Sequence, residues 1–162
     1  TFSDSRQVFN QTFTSKFTIM KKIALLIIFI ISSNTYAQNE DVKNTIQTFF
    51  EGFHHRDTVL LHQVCADKMI LQSIQESSSG NSLTEEPLQF FYRSIASMPR
   101  DLQYNEQILS YTIQVDGTMA HAWTPYEFYL NGTLSHKGVN AFTLFKEKDQ
   151  WKILYIIDTR RK

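Results

Sequence analysis

Glu127 and His136 are the residues whose types and spacing could do chemistry. They flank Asn131-Gly132, a pair suited to a two-residue hairpin because both central residues of a type I′ turn need positive φ. Such a turn pairs Leu130 with Thr133, and therefore Glu127 with His136, Pro125 with Gly138 and Trp123 with Asn140. A carboxylate hydrogen-bonded to an imidazole fixes its tautomer and holds it near its working pKa, which is what proton transfer needs. With Trp123 and Asn140 on the same face, the set would also floor a pocket that orients a polar planar ligand and excludes water. The alternative is an edge pair in solvent, worth about 0.2–1 kcal/mol as a cross-strand contact.

Asp158-Thr159-Arg160-Arg161 closes the last apolar run of the chain. A three-residue turn after Lys146 would put Asp158 and Arg160 on the His136 face; a two- or four-residue turn would put Thr159 and Arg161 there. An arginine so placed could grip a carboxylate or phosphate in bidentate fashion, the alternative being a basic end paired with Asp158. The expected ligand-binding set is thus Trp123, Glu127, His136, Asn140, Asp158, Arg160 and Arg161, with His136 and Glu127 the catalytic candidates. His54-His55 and His62 lack complete metal-ligand spacing and read as structural or surface residues. Cys65 is the single cysteine, cannot form an internal disulfide, and has no local activating base, so it reads as a core residue. No metal site and no cofactor is expected.

The elements that must position these residues change period halfway along the chain. Val42, Ile46, Phe49, Phe50 and Phe53 make one apolar helical stripe beginning near Asn39. Asp57 can cap a short second helix bearing Val59, Leu60, Leu61 and Val64. Met69 to Gln75 reads as a strand and Ser77 to Ser82 as a loop. Thr84 then caps a third helix, carrying Leu88, Phe91, Tyr92 and Ile95 until Pro99 stops it. Beyond it, Tyr104 to Val115, Thr118 to Leu130, Thr133 to Lys146 and Trp151 to Thr159 are aromatic and β-branched runs, a four-stranded antiparallel meander. Helices first and sheet second indicate an α+β domain: three N-terminal helices packed on a curved, mostly antiparallel sheet.

A two-residue Asp116-Gly117 turn would set Ser110 opposite Trp123 and Thr112 opposite His121. One sheet face then collects Ser110, His121, Trp123, Glu127, His136, Asn140 and Phe142. The other collects Tyr111, Ile113, Ala120, Ala122, Thr124, Tyr126, Val139, Ala141 and Thr143, an apolar surface that a homodimer would bury. Pro125 cannot donate to a ladder, and a bulge there would flip the two sets.

Composition narrows the class. The 162 residues carry sixteen basic and sixteen acidic side chains, which argues against a nucleic-acid surface or polybasic membrane patch. Thirteen Phe, seven Tyr and two Trp against five Gly and three Pro exclude a low-complexity chain. Met20-Lys21-Lys22, the apolar run Ile23 to Ile31 and Thr35-Tyr36-Ala37 read as a bacterial secretory signal peptide over residues 20–37. The uncharged run is shorter than the roughly 18 residues a spanning helix requires, so no stable membrane insertion is expected after cleavage. Residues 1–19 then form an upstream or appended segment, and 38–162 a single periplasmic or secreted domain.

The helix-helix-strand-helix-meander order, the Phe49-Phe50 to Arg56-Asp57 helix end and the final Trp151-Lys152-Ile153 strand resemble the nuclear-transport-factor-2-like (NTF2-like) superfamily. Pro125 to Tyr129, Asn131-Gly132, His136 to Phe142 and Asp158 to Arg161 further resemble its exported SnoaL-like and lumazine-binding-like bacterial branch. The resemblance covers Asn39 to Lys162. It implies a cone of the cystatin-like, ketosteroid-isomerase-like kind, a pocket between helices and concave sheet, and dimers formed through the opposite face. Ketosteroid isomerases need a buried carboxylate base facing a phenol and a protonated acid. Asp101, Glu106 and Asp116 read as loop or strand-end residues, and no matching trio is evident. The leading expectation is an exported binder of a polar or anionic aromatic small molecule. The rivals are an isomerase, dehydratase or cyclase using His136 and Glu127, and a non-catalytic interaction or structural module.

Overall fold

The apolar stripe Val42, Ile46, Phe49 and Phe50 is buried along one face of α1, helical over residues 37–55, in a computed structural model that describes Lys21 and residues 37–162. Apart from Lys21 and Ala37, the expected signal peptide and upstream segment lie outside the described residues. Helix α1 ends where Arg56 takes a left-handed φ of 58° and the Asp57 N–H donates to the Gly52 carbonyl at 2.8 Å. Asp57 then caps α2 (Thr58–Val64), its carboxylate accepting from the Leu60 N–H at 3.0 Å, as expected.

Strand β1 (Cys65–Gln75) follows directly, and residues expected to form a loop and a helix start instead form β2 (Ser82–Glu86), paired antiparallel with β1. Thr84 therefore sits opposite Ser73 and is not a helix cap. Helix α3 (Leu88–Ser97) begins after Pro87, which has an extended ψ of 130° and no capping side chain. Proline's fixed φ and missing N–H suit a helix entry.

The expected first meander strand is two strands, β3 (Tyr104–Ile108) and β4 (Thr112–Asp116), both paired with β5 (Met119–Leu130). Leu109-Ser110-Tyr111 spans a stretch that β5 covers with Thr124-Pro125 alone. The break falls where Pro125 has no N–H to give to the ladder. Strands β6 (Thr133–Glu147) and β7 (Gln150–Arg161) complete a sheet of order β2-β1-β7-β6-β5-β3, with β4 also on β5. All neighbours are antiparallel except β1 and β7. The described unit Asn39–Lys162 is thus an α+β domain of three helices and seven strands.

Asn131-Gly132 makes the expected turn, with φ of 49° and 76°. Two one-residue bulges then reset the faces. Tyr129 pairs with Leu134 but Phe128 with His136, leaving Ser135 extra; Leu144 pairs with Ile153 but Thr143 with Tyr155, leaving Leu154 extra. A one-residue slip moves every later side chain to the opposite face. Ala120, Ala122, Thr124 and Tyr126 consequently point into the protein and are buried, together with Asn140 and Phe142 of β6. Tyr111, Ile113 and Val115 pack on the same core. The apolar set expected to bind a second copy is therefore split: these residues are internal, and Val139, Ala141 and Thr143 lie on the outer face beside exposed Trp123.

Candidate functional site

Between the helices and the inner face of the sheet lies a cavity of about 280 Å³, small for a ligand pocket, for which ~300–1,000 Å³ is typical. Its apolar wall follows from helical spacing: Phe49, Phe50 and Phe53 from α1 meet Phe91, Ile95 and Met98 from α3. Phe49, Phe53 and Phe91 lie nearly parallel, with centroids 6.1–6.5 Å apart and planes within 6°. Phe128 and Phe142 of the sheet and Leu71 and Ile156 complete this lining.

The opposite end is polar. Asp158, 7% exposed, accepts from Ser73 Oγ at 2.5 Å, from Tyr126 Oη at 3.1 Å and from Arg160 Nε at 2.7 Å. Tyr126 reaches Asp158 across β6 because its neighbour there is Gly138. A Cβ on Gly138 would lie 1.7 Å from the Thr159 carbonyl oxygen and 3.1 Å from the Tyr126 ring. That phenol also donates to the Thr159 carbonyl at 3.0 Å. Burial, and then the Asp158 carboxylate, push its pKa up.

Glu106 lies beside this cluster. Its Oε1 accepts from Asn140 Nδ2 at 2.7 Å, and its backbone N–H donates to His54 Nε2 at 2.9 Å. Accepting that bond fixes His54 as the neutral tautomer protonated on Nδ1, consistent with a pKa lowered by burial and then by His55. Burial raises the Glu106 carboxyl to about 7; Asn140 opposes the rise and Asp158 adds to it. Glu86, from β2, also lines the cavity and is raised by burial.

Of the residues expected to form the site, His136, Asn140, Asp158 and Arg160 line this cavity. Trp123, Glu127 and Arg161 do not. The bulge at Ser135 sets Glu127 opposite Lys137 and not His136, and Glu127 instead accepts from Tyr129 Oη at 2.7 Å. The expected His136–Glu127 pair therefore does not form. His136 stacks on Phe128 with centroids 4.9 Å apart, contacts Ser135 Oγ through Nδ1, and has its pKa lowered by burial and then by Arg160. The choice between arginines falls to Arg160. The turn after Glu147 has two residues, and the bulge at Leu154 restores the face that a three-residue turn would have given. Arg161 pairs with Glu76 at 3.0 Å.

Glu106 was missed as a site residue because Tyr104 to Val115 read as one strand, with 106 near its end. Two signals mark its surroundings: Gly138 inside a strand, which signals close approach of another group, and the break opposite Pro125. Asp101 and Asp116 are exposed, as loop and strand-end residues are. Among the described residues no group of His, Cys, Asp or Glu could hold a metal ion. Cys65 is buried and its thiol is raised to about 12, chiefly by burial, which leaves it inert as a nucleophile.

Three helices over the concave face of a curved sheet, with a cavity between the layers, define the NTF2-like α+β fold. Solved structures share it. An NTF2-like protein of unknown function from Shewanella baltica superposes with a TM-score of 0.57 at 14% identity, covering 78% of this chain and 96% of that one. An NTF2-like superfamily protein from Salmonella enterica gives 0.60 at 14% identity, covering 79% and 94%. The association domain of CaMKII from C. elegans gives 0.59 at 15% identity, covering 76% and 95%. No family model and no curated protein matches the sequence. At these identities the likeness is one of fold.

Proposed function

We propose that this protein binds a small molecule in the cavity between its helices and sheet, apolar body against the phenylalanines and polar head at Glu106, Asn140 and His136. The observation that carries this reading is the composition of the cavity: one wall of aromatic rings facing buried, hydrogen-bonded polar groups. A merely structural module would gain more stability by filling that space with side chains. The proposal extends to export through the segment 20–37, in keeping with the SnoaL-like and lumazine-binding-like resemblance. It extends also to a homodimer through the outer sheet face around Trp123, which is 49% exposed.

A second reading, proton-transfer catalysis, is favoured by one observation: a cavity carboxyl whose pKa of about 7 suits acid–base work at neutral pH. Its acid–base group would be Glu106, not the His136–Glu127 pair. The phenol of Tyr126 is committed to an ion-paired Asp158, so it is not arranged as the ketosteroid-isomerase oxyanion hole is.

The test is native mass spectrometry of gently purified protein alongside Ser94→Trp, which fills the cavity from α3. A co-purifying small molecule that the variant loses supports the reading. No bound compound, together with no resonance shift at Glu106 or His136 across a fragment library, would overturn it.

A further inference from the structure

Resting on that reading, we infer that the cavity selects a protonated amine over a carboxylate or phosphate. Among the described residues three carboxyl side chains line it, Glu86, Glu106 and Asp158, against one guanidinium, Arg160. That guanidinium is already taken: Arg160 Nε and Nη2 both donate to Asp158, at 2.7 and 3.4 Å. An entering anion would have to compete with this carboxylate for its cation while being desolvated beside Glu86 and Glu106, and buried like charges are costly. His136 supplies no second cation near neutral pH, since burial and Arg160 both disfavour its charged form.

For an ammonium the same features are favourable. Glu106 and Glu86 offer acceptors with little else to neutralise them, and a cation alongside would favour their ionised forms. The size of the cavity limits the ligand to a small body, such as one aromatic ring with a short amine-bearing chain. The expectation that an arginine here would grip an anion assumed a free guanidinium, and Asp158 removes it.

The experiment titrates the full chain with three probes of matched skeleton: 2-phenylethylamine, 2-phenylethanol and 3-phenylpropanoate. The amine should bind about ten-fold or more tightly than the carboxylate, the difference expected for one hydrogen bond to a charged group. The double variant Glu86→Gln, Glu106→Gln, checked for folding by thermal melting, should lose that preference while retaining the alcohol. Equal affinities, tighter carboxylate binding, or a preference unchanged in the double variant would overturn the inference and leave the cavity as a binding site. If none of the three binds, the alcohol included, the inference fails, and the binding reading fails with it only where no compound co-purifies and no fragment shifts Glu106 or His136 either.

Discussion

Replacing Glu106 by glutamine should make the protein more stable at neutral and alkaline pH, and by a predictable amount. The amide keeps the shape of the carboxyl and an Oε1 that can still accept from Asn140 Nδ2, so the hydrogen bond at 2.7 Å survives. What the substitution removes is the charge. The folded carboxyl has a pKa of about 7 against an ordinary 4.5, and at about 1.4 kcal/mol per pKa unit this is worth about 3 kcal/mol. The sign follows from where each state ionises. Below about 4.5 the carboxyl is neutral in both states and the native protein keeps its full stability. Between 4.5 and 7 the unfolded chain ionises first, so stability falls as pH rises, and above 7 the loss is complete. His54 and His136, both lowered from 6.5, work the other way, losing stability as pH falls. They are present in both proteins and cancel in the difference. Urea unfolding of wild type and Glu106→Gln from pH 4.5 to 8 should show near-equal stabilities at the acid end and an advantage of about 3 kcal/mol for the variant at pH 8. A difference that does not change with pH would refute the burial of this carboxyl.

Gly138→Ala should destabilise the domain by about 3 kcal/mol or more, read as a fall in urea midpoint, because its Cβ meets backbone that cannot move aside. His136→Ala should weaken binding of the cavity ligand about ten-fold or more. It should cost only about 1 kcal/mol in thermal stability, the worth of its stacking on Phe128. Trp123→Glu on the outer face should turn a dimer into a monomer by light scattering without altering ligand affinity, and a monomeric wild type would remove the homodimer from the proposal. Expressed in an exporting bacterial host from Met20, the mature chain should begin at or within a few residues of Gln38, and recovery of a chain still starting at Met20 would count against export.

Periodicity made the α+β plan legible: the α1 stripe, the Asp57 cap, and the Asn131-Gly132 hairpin with its two positive φ values all lie where their residue types demand. The facing of side chains was not legible, and the cause is specific. Counting back from a turn assumes an unbroken ladder, yet Ser135 and Leu154 are each one residue too many. Neither serine nor leucine carries a bulge signal of the kind that glycine or proline does. His136, Asn140 and Phe142 share a face because no bulge separates them, whereas Glu127 and Trp123 were attached to that face only through the miscounted hairpin. Thr84 misled for another reason. A good capping residue followed by an apolar stripe describes a helix start only when no strand needs it, and β1 offered Thr84 a ladder.

A different misreading, β3 and β4 taken as one strand, separated Glu106 from its partners. Once β3 is a strand of its own, Glu106 falls at its centre, opposite Phe128 and within reach of Asn140, while His54 from α1 holds its backbone N–H. Nothing in folding favours that placement: a leucine or glutamine at 106 would avoid the cost of carrying a carboxyl into a cavity. The stability gained by Glu106→Gln at pH 8 and the amine preference lost on removing the carboxyls are therefore two readouts of one arrangement. A carboxyl desolvated by its burial in this cavity is destabilising while it is unpaired and would become a strong acceptor beside a cation. A carboxyl that breaks the local rules of burial at this one point is what the proposed binding role would require, since folding alone gives no reason to keep it.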